Sequence, residues 1–230
     1  MAERLFDIVA SLIALVLLSP IILVAAIGIR LSSRGPILFR AERAGRNGEP
    51  FVMHKFRTMH TQQTPGASAI TARRDSRVFP WGNLLRSLKI DELPQFFDVL
   101  RGKMSIVGPR PEDLRIVRNY YAPEHWKTLT VRPGLASPGS IYNYTHGEAL
   151  IGAQDPENDY LRKLLPVKLA LEIVYVQRAS WLYDLRIIFR TVGVIAMIAL
   201  GKRDFSDPPE MAKIERVVPV RIDSADSRSN

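Results

Sequence analysis

Two carboxylates stand side by side at Asp91 and Glu92, within Asp91-Glu92-Leu93-Pro94-Gln95, and cations lie near them in sequence at Lys55, Arg57, Arg86 and Arg110. Residue types of this kind point to phosphoryl chemistry. A carboxylate attacking phosphorus meets anionic repulsion, so such a site needs a divalent cation and cationic side chains before attack is feasible. Helix neighbours point about 100° apart, so the two acids are expected to divide the labour rather than share a proton. Asp91 suits a nucleophile that forms an acyl phosphate. Glu92, with Asp91 beside it, suits Mg²⁺, which takes one or two protein carboxylates together with substrate phosphates and water. The plain alternative is that two acids at a helix start cap free N–H groups and complement the macrodipole, each contributing about 0.3–1 kcal/mol. Arg110 sits in Gly108-Pro109-Arg110-Pro111. The flanking prolines restrict its backbone, and a stiffly presented guanidinium suits bidentate phosphate binding.

Composition narrows the partners. The chain has 230 residues, 47% hydrophobic and 24% charged, which is enough for one domain with a real core. Thirty-two Lys and Arg against 23 Asp and Glu leave a formal net charge of +9, so an anionic partner is expected: nucleic acid, acidic lipid or a nucleotide diphosphate. The basic residues neither form one long run nor alternate with aromatics, and no nucleic-acid partner is expected. Cysteine is absent, which removes disulfides and thiolate metal sites. His54, His60, His125 and His146 lack a metal-binding spacing and suit polar loop or surface roles.

The elements that must position these groups begin with an apolar run from Ile8 to Ile29, long enough to cross a bilayer as a helix but broken by Ser19-Pro20. Pro20 lacks an N–H, and the Ser19 hydroxyl can satisfy a freed backbone group, so a bend is expected there. Each half is about 15 Å long, roughly half the hydrocarbon thickness. That suits a helix that enters and turns back. Arg4 before the run, and Arg30, Arg34, Arg40 and Arg43 after it, favour both ends on the cytoplasmic side. A straight span with a tolerated proline, or a signal peptide cleaved near Val24-Ala25-Ala26, remain the alternatives.

Beyond the membrane segment, Pro36 to Phe39 and Phe51 to Met53 flank a Gly45–Gly48 turn and predict a hairpin leading into Lys55-Phe56-Arg57-Thr58-Met59. Thr61 to Ala72 reads as a surface loop. A helix is expected from Trp81 or Asn83 to Lys89. Another follows in which Leu93, Phe96, Phe97 and Leu100 share a face and Gly102 is the stop, placing Asp91 and Glu92 at its N-terminus. Pro111 to Tyr121 reads as helix, Arg132-Pro133-Gly134 opens an irregular stretch through Gly147, and helix returns from Asp155 to Arg178 with an interruption near Pro166. Asp184 to Leu200 holds only a short uninterrupted apolar run, and an interfacial or core helix is expected. After Lys202 the chain turns polar, with order expected at most around Val217 to Ile222.

Lys55 to Met59, Arg86, Asp91 to Gln95 and Gly108 to Pro111, in that order after Ser19-Pro20, resemble the monotopic phosphoglycosyl transferases. These are the bacterial sugar transferases that load a sugar phosphate onto polyprenol phosphate. The resemblance runs from about residue 3 to residue 200. It implies a helix-rich α/β fold of three parts: a re-entrant membrane helix (1–31), a membrane-associated cytosolic catalytic domain (32–201) and a partly disordered tail (202–230). It further implies transfer of sugar 1-phosphate from a UDP-sugar to polyprenol phosphate with release of UMP, at the cytoplasmic face of the bacterial inner membrane. Asp91 would be the nucleophile and Glu92 its partner with Mg²⁺, while Lys55, Arg57, Arg86, Arg110 and Arg132 would serve the donor and its phosphates. Membrane lipids and a possible second copy of the chain complete the expected partners. The chain departs from the family pattern at Leu135-Ala136-Ser137-Pro138-Gly139, where a Thr-Gly pair is common, so the sugar is not read. Glu172 stands where aspartate is usual and keeps the charge, so little effect is expected. The competing class is a non-enzymatic membrane protein with a basic lipid- or protein-binding domain.

Overall fold

The computed structural model describes residues 2–61, 70 and 75–217. Helices α1 (Ala2–Leu17) and α2 (Ser19–Ser32) meet at a 61° bend. Its cause is the one expected: Pro20 lies in the first turn of α2, and the Ser19 hydroxyl donates to the Val16 carbonyl at 2.8 Å. Among the described residues no single helix is long and apolar enough to cross a membrane, whereas this bent pair is, taken together. Val16, Leu17, Leu23 and Val24 around the bend are exposed.

Strands β1 (Leu38–Ala44) and β2 (Pro50–Phe56) form the expected antiparallel hairpin, from Leu38 opposite Phe56 to Ala44 opposite Pro50. The run continues into α3 (Pro80–Ser87), a 3₁₀ turn (Ile90–Glu92) and α4 (Gln95–Leu100). Asp91 and Glu92 thus lie in the turn ahead of the predicted helix rather than within it. Pro94 is the N-cap of the helix, and Gly102, at φ +75°, closes it.

Strands β3 (Ser105–Val107) and β4 (Gly134–Ala136) pair in parallel, joined by α5 (Leu114–Tyr120) and a 3₁₀ segment, Pro123–Leu129. The helix expected from Pro111 starts later because Asp113 caps it, accepting from Arg115 N–H. The irregular stretch predicted after Arg132 is instead β4 followed by α6 (Pro138–Leu150). Its serine, proline and glycine are helix-start residues: Ser137 accepts from Ser140 N–H, and Pro138 occupies the first turn. Next come α7 (Pro156–Asp159), a π-helical turn (Tyr160–Leu164) and α8 (Leu165–Arg178), with Pro166 in the first turn of α8. Helix α9 (Trp181–Ala199) begins ahead of the expected Asp184, and α10 (Met211–Val217) ends the described chain. The ordered stretch expected at Val217 to Ile222 is therefore preceded by a helix, and its remainder lies outside the described residues. So does nearly all of the loop expected at Thr61 to Ala72.

Both ends of the bent pair dock on the same body. Arg4 at the start of α1 donates to the carbonyls of Val99 and Leu100 at 2.6 and 2.8 Å, capping the end of α4. Buried Asp7 accepts from the Ser105 hydroxyl and from Ile106 N–H at 3.0 Å. Ala25 and Ile29 of α2 pack with Phe56, Phe79 and Leu85 in an apolar cluster between β2 and α3. The largest core joins Met53, Val99, Met104, Ile106, Ile141, Tyr175 and Ile187 across the hairpin, α4, β3, α6, α8 and α9.

Candidate active site

The hairpin, α3, the 3₁₀ turn, the Gly108–Pro111 loop, α6 and α8 enclose a cavity of about 1980 Å³. Two glycines allow the loop its course. A Cβ on Gly134 would stand 2.2 Å from Gly108 N, and one on Gly108 would stand 2.5 Å from the Arg132 carbonyl. Only bare backbone permits β3 and β4 to approach this closely where Arg110 leaves the sheet.

Asp91 and Glu92 both face the cavity and are both buried, at 7% and 8% exposure, yet their surroundings differ. Asp91 Oδ1 is shut away from solvent without a hydrogen-bond partner. Burial, and then the charge of Glu92, raise the Asp91 carboxyl above the usual range, while Lys55, Lys89 and Arg86 pull it back down. Glu92 is fully engaged. The Arg110 fork grips it, Nη1 lying 2.9 Å from Oε2 and Nη2 bonding Oε1. The Tyr144 hydroxyl donates to Oε2 at 3.0 Å, and Lys55 Nζ stands 3.5 Å from Oε1. Burial alone would raise Glu92, but the charges of Arg110, Lys55 and Lys89 prevail and hold it well below the ordinary carboxylate range. One acid is thus clamped as an anion, and its neighbour keeps a buried oxygen without a hydrogen-bond partner.

The cations sort in the same way. Lys55 and Arg86 line the cavity; burial lowers Lys55 to about 8, and Arg86 makes no side-chain hydrogen bond or ion pair with a described residue. Arg110 is in place, but its fork holds Glu92, so its role here is a carboxylate clamp rather than the free phosphate fork expected. Arg57 also lines the cavity, but its guanidinium nitrogens are committed within the fold. It is buried, and it donates through Nε to the Pro36 carbonyl, through Nη1 to Ser33 Oγ and the Met59 carbonyl, and through Nη2 to the Ser33 carbonyl. The guanidinium ties the end of α2 to the hairpin, which satisfies loop carbonyls that water does not reach. Arg132 requires a correction: it is not among the cavity-lining residues, and its backbone packs on Gly108.

Several groups were not found from sequence. Lys89 adopts a left-handed backbone at φ +57°, unusual for a residue with a side chain, and its ammonium lies 4.0 Å over the Tyr144 ring. Tyr144, from α6, touches Glu92, Arg110 and Lys89 together; nothing in its local sequence marks it. A buried triad on the cavity wall joins Lys168 Nζ to Glu112 Oε2 at 2.6 Å and to the Tyr160 hydroxyl at 2.9 Å. Glu172 is also buried. It accepts from Ser137 Oγ at 2.6 Å and from Arg110 N–H at 3.2 Å, and burial pushes its carboxyl up to about 7. Beyond the charge expected of it, Glu172 works as a buried hydrogen-bond anchor. The expected histidine roles also change at His54, which bonds buried Asp98 through Nδ1 at 2.7 Å and fastens β2 to α4.

Among the described residues no group of three or more His, Asp or Glu side chains is arranged to hold a metal ion. The residues fit an ion that relies on substrate for most of its ligands, because Asp91 Oδ1 has no hydrogen-bond partner and the longest contact to Glu92, from Lys55, is 3.5 Å.

The chain matches the bacterial sugar transferase family across residues 1–197. It is 38% identical over 192 residues to a UDP-glucose:undecaprenyl-phosphate glucose-1-phosphate transferase of Caulobacter vibrioides, covering 83% of this chain and 68% of that one. An enzyme of the same description from Klebsiella pneumoniae is 37% identical over 83% of this chain and 39% of its own length. A UDP-N-acetylgalactosamine-undecaprenyl-phosphate N-acetylgalactosaminephosphotransferase of Aeromonas hydrophila is 34% identical, over 84% of this chain and 43% of its own. The chain therefore spans about two thirds of the first relative and less than half of the other two. Those names also differ in the sugar moved. The match over most of the chain makes it a member of the bacterial sugar transferase family, the phosphoglycosyl transferase enzymes that its motifs resemble.

Proposed function

We propose that this chain transfers sugar 1-phosphate from a UDP-sugar to undecaprenyl or a related polyprenol phosphate, through a covalent intermediate on Asp91. The observation that carries the reading is the buried, unpartnered Oδ1 of Asp91, a cavity-lining residue beside a glutamate held anionic by Arg110. In the first displacement an Asp91 oxygen bonds the sugar-bearing phosphorus, and the bond from that phosphorus to the bridging oxygen breaks, releasing UMP. In the second, a phosphate oxygen of the polyprenol bonds the same phosphorus and the carboxylate leaves. Lys55, Lys89 and Arg86 offset charge on the donor phosphates, and Arg110 with Tyr144 fixes Glu92. Mg²⁺, held by Asp91, Glu92 or both, would neutralise phosphate charge during attack. A cavity of about 1980 Å³, against roughly 300–1,000 Å³ for a common small-ligand pocket, has room for a donor and an acceptor headgroup. We further propose that α1 and α2 form a re-entrant membrane anchor at the cytoplasmic face of the inner membrane, which keeps the site where soluble donor and lipid acceptor meet.

The test uses purified full chain with Mg²⁺ and a panel of UDP-sugars, without polyprenol phosphate. The active donor should release at most about one equivalent of UMP and leave the phospho-sugar mass on the peptide containing Asp91. Asp91→Asn should lose both turnover and adduct while still binding the donor. If UMP appears only with acceptor present and rapid quench traps no adduct, transfer is direct and Asp91 is a base or metal ligand. Absence of magnesium-dependent UMP release with every donor would instead favour a non-enzymatic lipid- or protein-binding role.

A further inference from the structure

The family match ends at residue 197, yet the chain beyond it runs along the cavity. After α9 the backbone turns through Gly201 at φ +93°, and Lys202 N–H donates to the Met197 carbonyl at 3.0 Å. Phe205 then packs against the main core. Asp207 lies 3.4 Å from His146 Nε2 of α6. Glu210, 2% exposed, accepts from the Tyr183 hydroxyl at 2.9 Å and from Arg190 Nη1 at 2.7 Å, and Ile214 is buried in the apolar cluster beneath α8. Between these anchors Arg203 lines the cavity beside Ile198. Its guanidinium makes no hydrogen bond or ion pair with any described residue.

We propose that residues 201–214 form a strap that adds Arg203 to the substrate-binding wall, where it takes a phosphate group of donor or acceptor. The inference rests on the function proposed above. Arg203 is exposed, but its backbone is fixed on both sides, by the Lys202 N–H bond to Met197 before it and by Phe205, Glu210 and Ile214 after it. Anchoring lowers the entropy lost when the guanidinium closes on an anion. Arg203 would join Lys55, Lys89 and Arg86 in offsetting phosphate charge. A diphosphate donor and a phosphate acceptor meet at two carboxylates, while Arg110 and Arg57 are already occupied. An arginine presents paired donors suited to phosphate oxygens. Arg203 lies outside the residues matched by the family model.

The experiment compares full-length wild type with Arg203→Ala, Arg203→Lys and Arg203→Glu in detergent. Initial rates are measured against UDP-sugar and against polyprenol phosphate in separate titrations. Arg203→Ala should raise the KM of one substrate about tenfold and change kcat by less than about twofold, with Arg203→Lys recovering most of the loss and Arg203→Glu exceeding it. The affected KM identifies the source of the phosphate. Direct binding of UDP and of farnesyl phosphate should weaken in parallel, about tenfold for the matching probe. Glu210→Gln, checked for an intact thermal melt, should raise the same KM and add little to Arg203→Ala. The proposal is overturned if Arg203→Ala leaves both KM values and both binding constants within about twofold of wild type. Should wild type prove inactive with every UDP-sugar, the proposed function fails, and the two binding constants still decide whether Arg203 holds a phosphate.

Discussion

Asp91 and Glu92 share one turn and nearly equal burial, and partners alone separate them. Glu92 has a guanidinium fork, a phenol and an ammonium around it; Asp91 has an oxygen with no hydrogen-bond partner. The same reasoning yields a pH prediction at Lys55. Burial lowers its ammonium to about 8, against the favourable charge of Glu92, and only the protonated form helps to offset phosphate charge. Activity measured as kcat/KM should therefore fall as pH rises through about 8, and Lys55→Arg should move that limb upward out of range. At Glu172 the sign concerns stability. Its carboxyl is raised from 4.5 to about 7 by burial, so the folded state favours the protonated acid. The associated stability is fully present below pH 4.5 and is lost as pH rises through about 7, an effect on the order of 3 kcal/mol. Urea melts across this range should show the decline in wild type, and Glu172→Gln should flatten it.

At the scale of elements, the site depends on joints between segments far apart in sequence. The 3₁₀ turn with Asp91 and Glu92 is held between β2 and α3 on one side and α4 on the other, and α4 is capped at its end by Arg4 of α1. Asp7 extends that joint to β3, which leads directly into the Gly108–Pro111 loop and Arg110. The bent helix pair is thus part of the scaffold of the site. Asp7→Ala would leave the buried Ile106 N–H and the Ser105 hydroxyl without their acceptor, and should cost about 2 kcal/mol or more by denaturant melting in detergent. Asp7→Asn keeps an acceptor and should cost less. Equal stability of Asp7→Ala and wild type would show that the joint is not structural.

For the whole molecule the decisive feature is that both arms of the bent pair return to one body. A full span would carry the start of α1 to the far side of the bilayer, breaking the contacts of Arg4 with Val99 and Leu100 and those of Asp7 with β3. Under the proposed re-entrant anchor, the apolar side chains exposed at the bend, Val16, Leu17, Leu23 and Val24, would be the part that enters lipid. Because the chain has no cysteine, Glu3→Cys and Arg34→Cys, both at exposed positions, can be labelled without background. An impermeant thiol reagent added to intact cells should label neither, and both should react once the inner membrane is opened. Labelling of Glu3→Cys in intact cells would establish a full span.

The sequence by itself determined those parts of the protein whose physics is local. The bend follows from a proline without an N–H beside a serine that bonds Val16; the hairpin follows from a glycine-rich turn between strand-forming runs; and the α4 stop follows from Gly102. The order of motifs likewise carried the family. Where local composition misled, as at Ser137-Pro138-Gly139, the same residues serve both loops and helix starts, and the packing of α6 against α8 decides between them. Only the tertiary structure showed that Arg57 is bound to loop carbonyls, that Arg110 grips Glu92, and that Tyr144, Lys89 and Glu172 belong to the site. An arginine has the same formal charge wherever it stands. What it does depends on which acceptors the fold brings within about 3 Å of its nitrogens, and those acceptors come from segments that one-dimensional spacing does not relate.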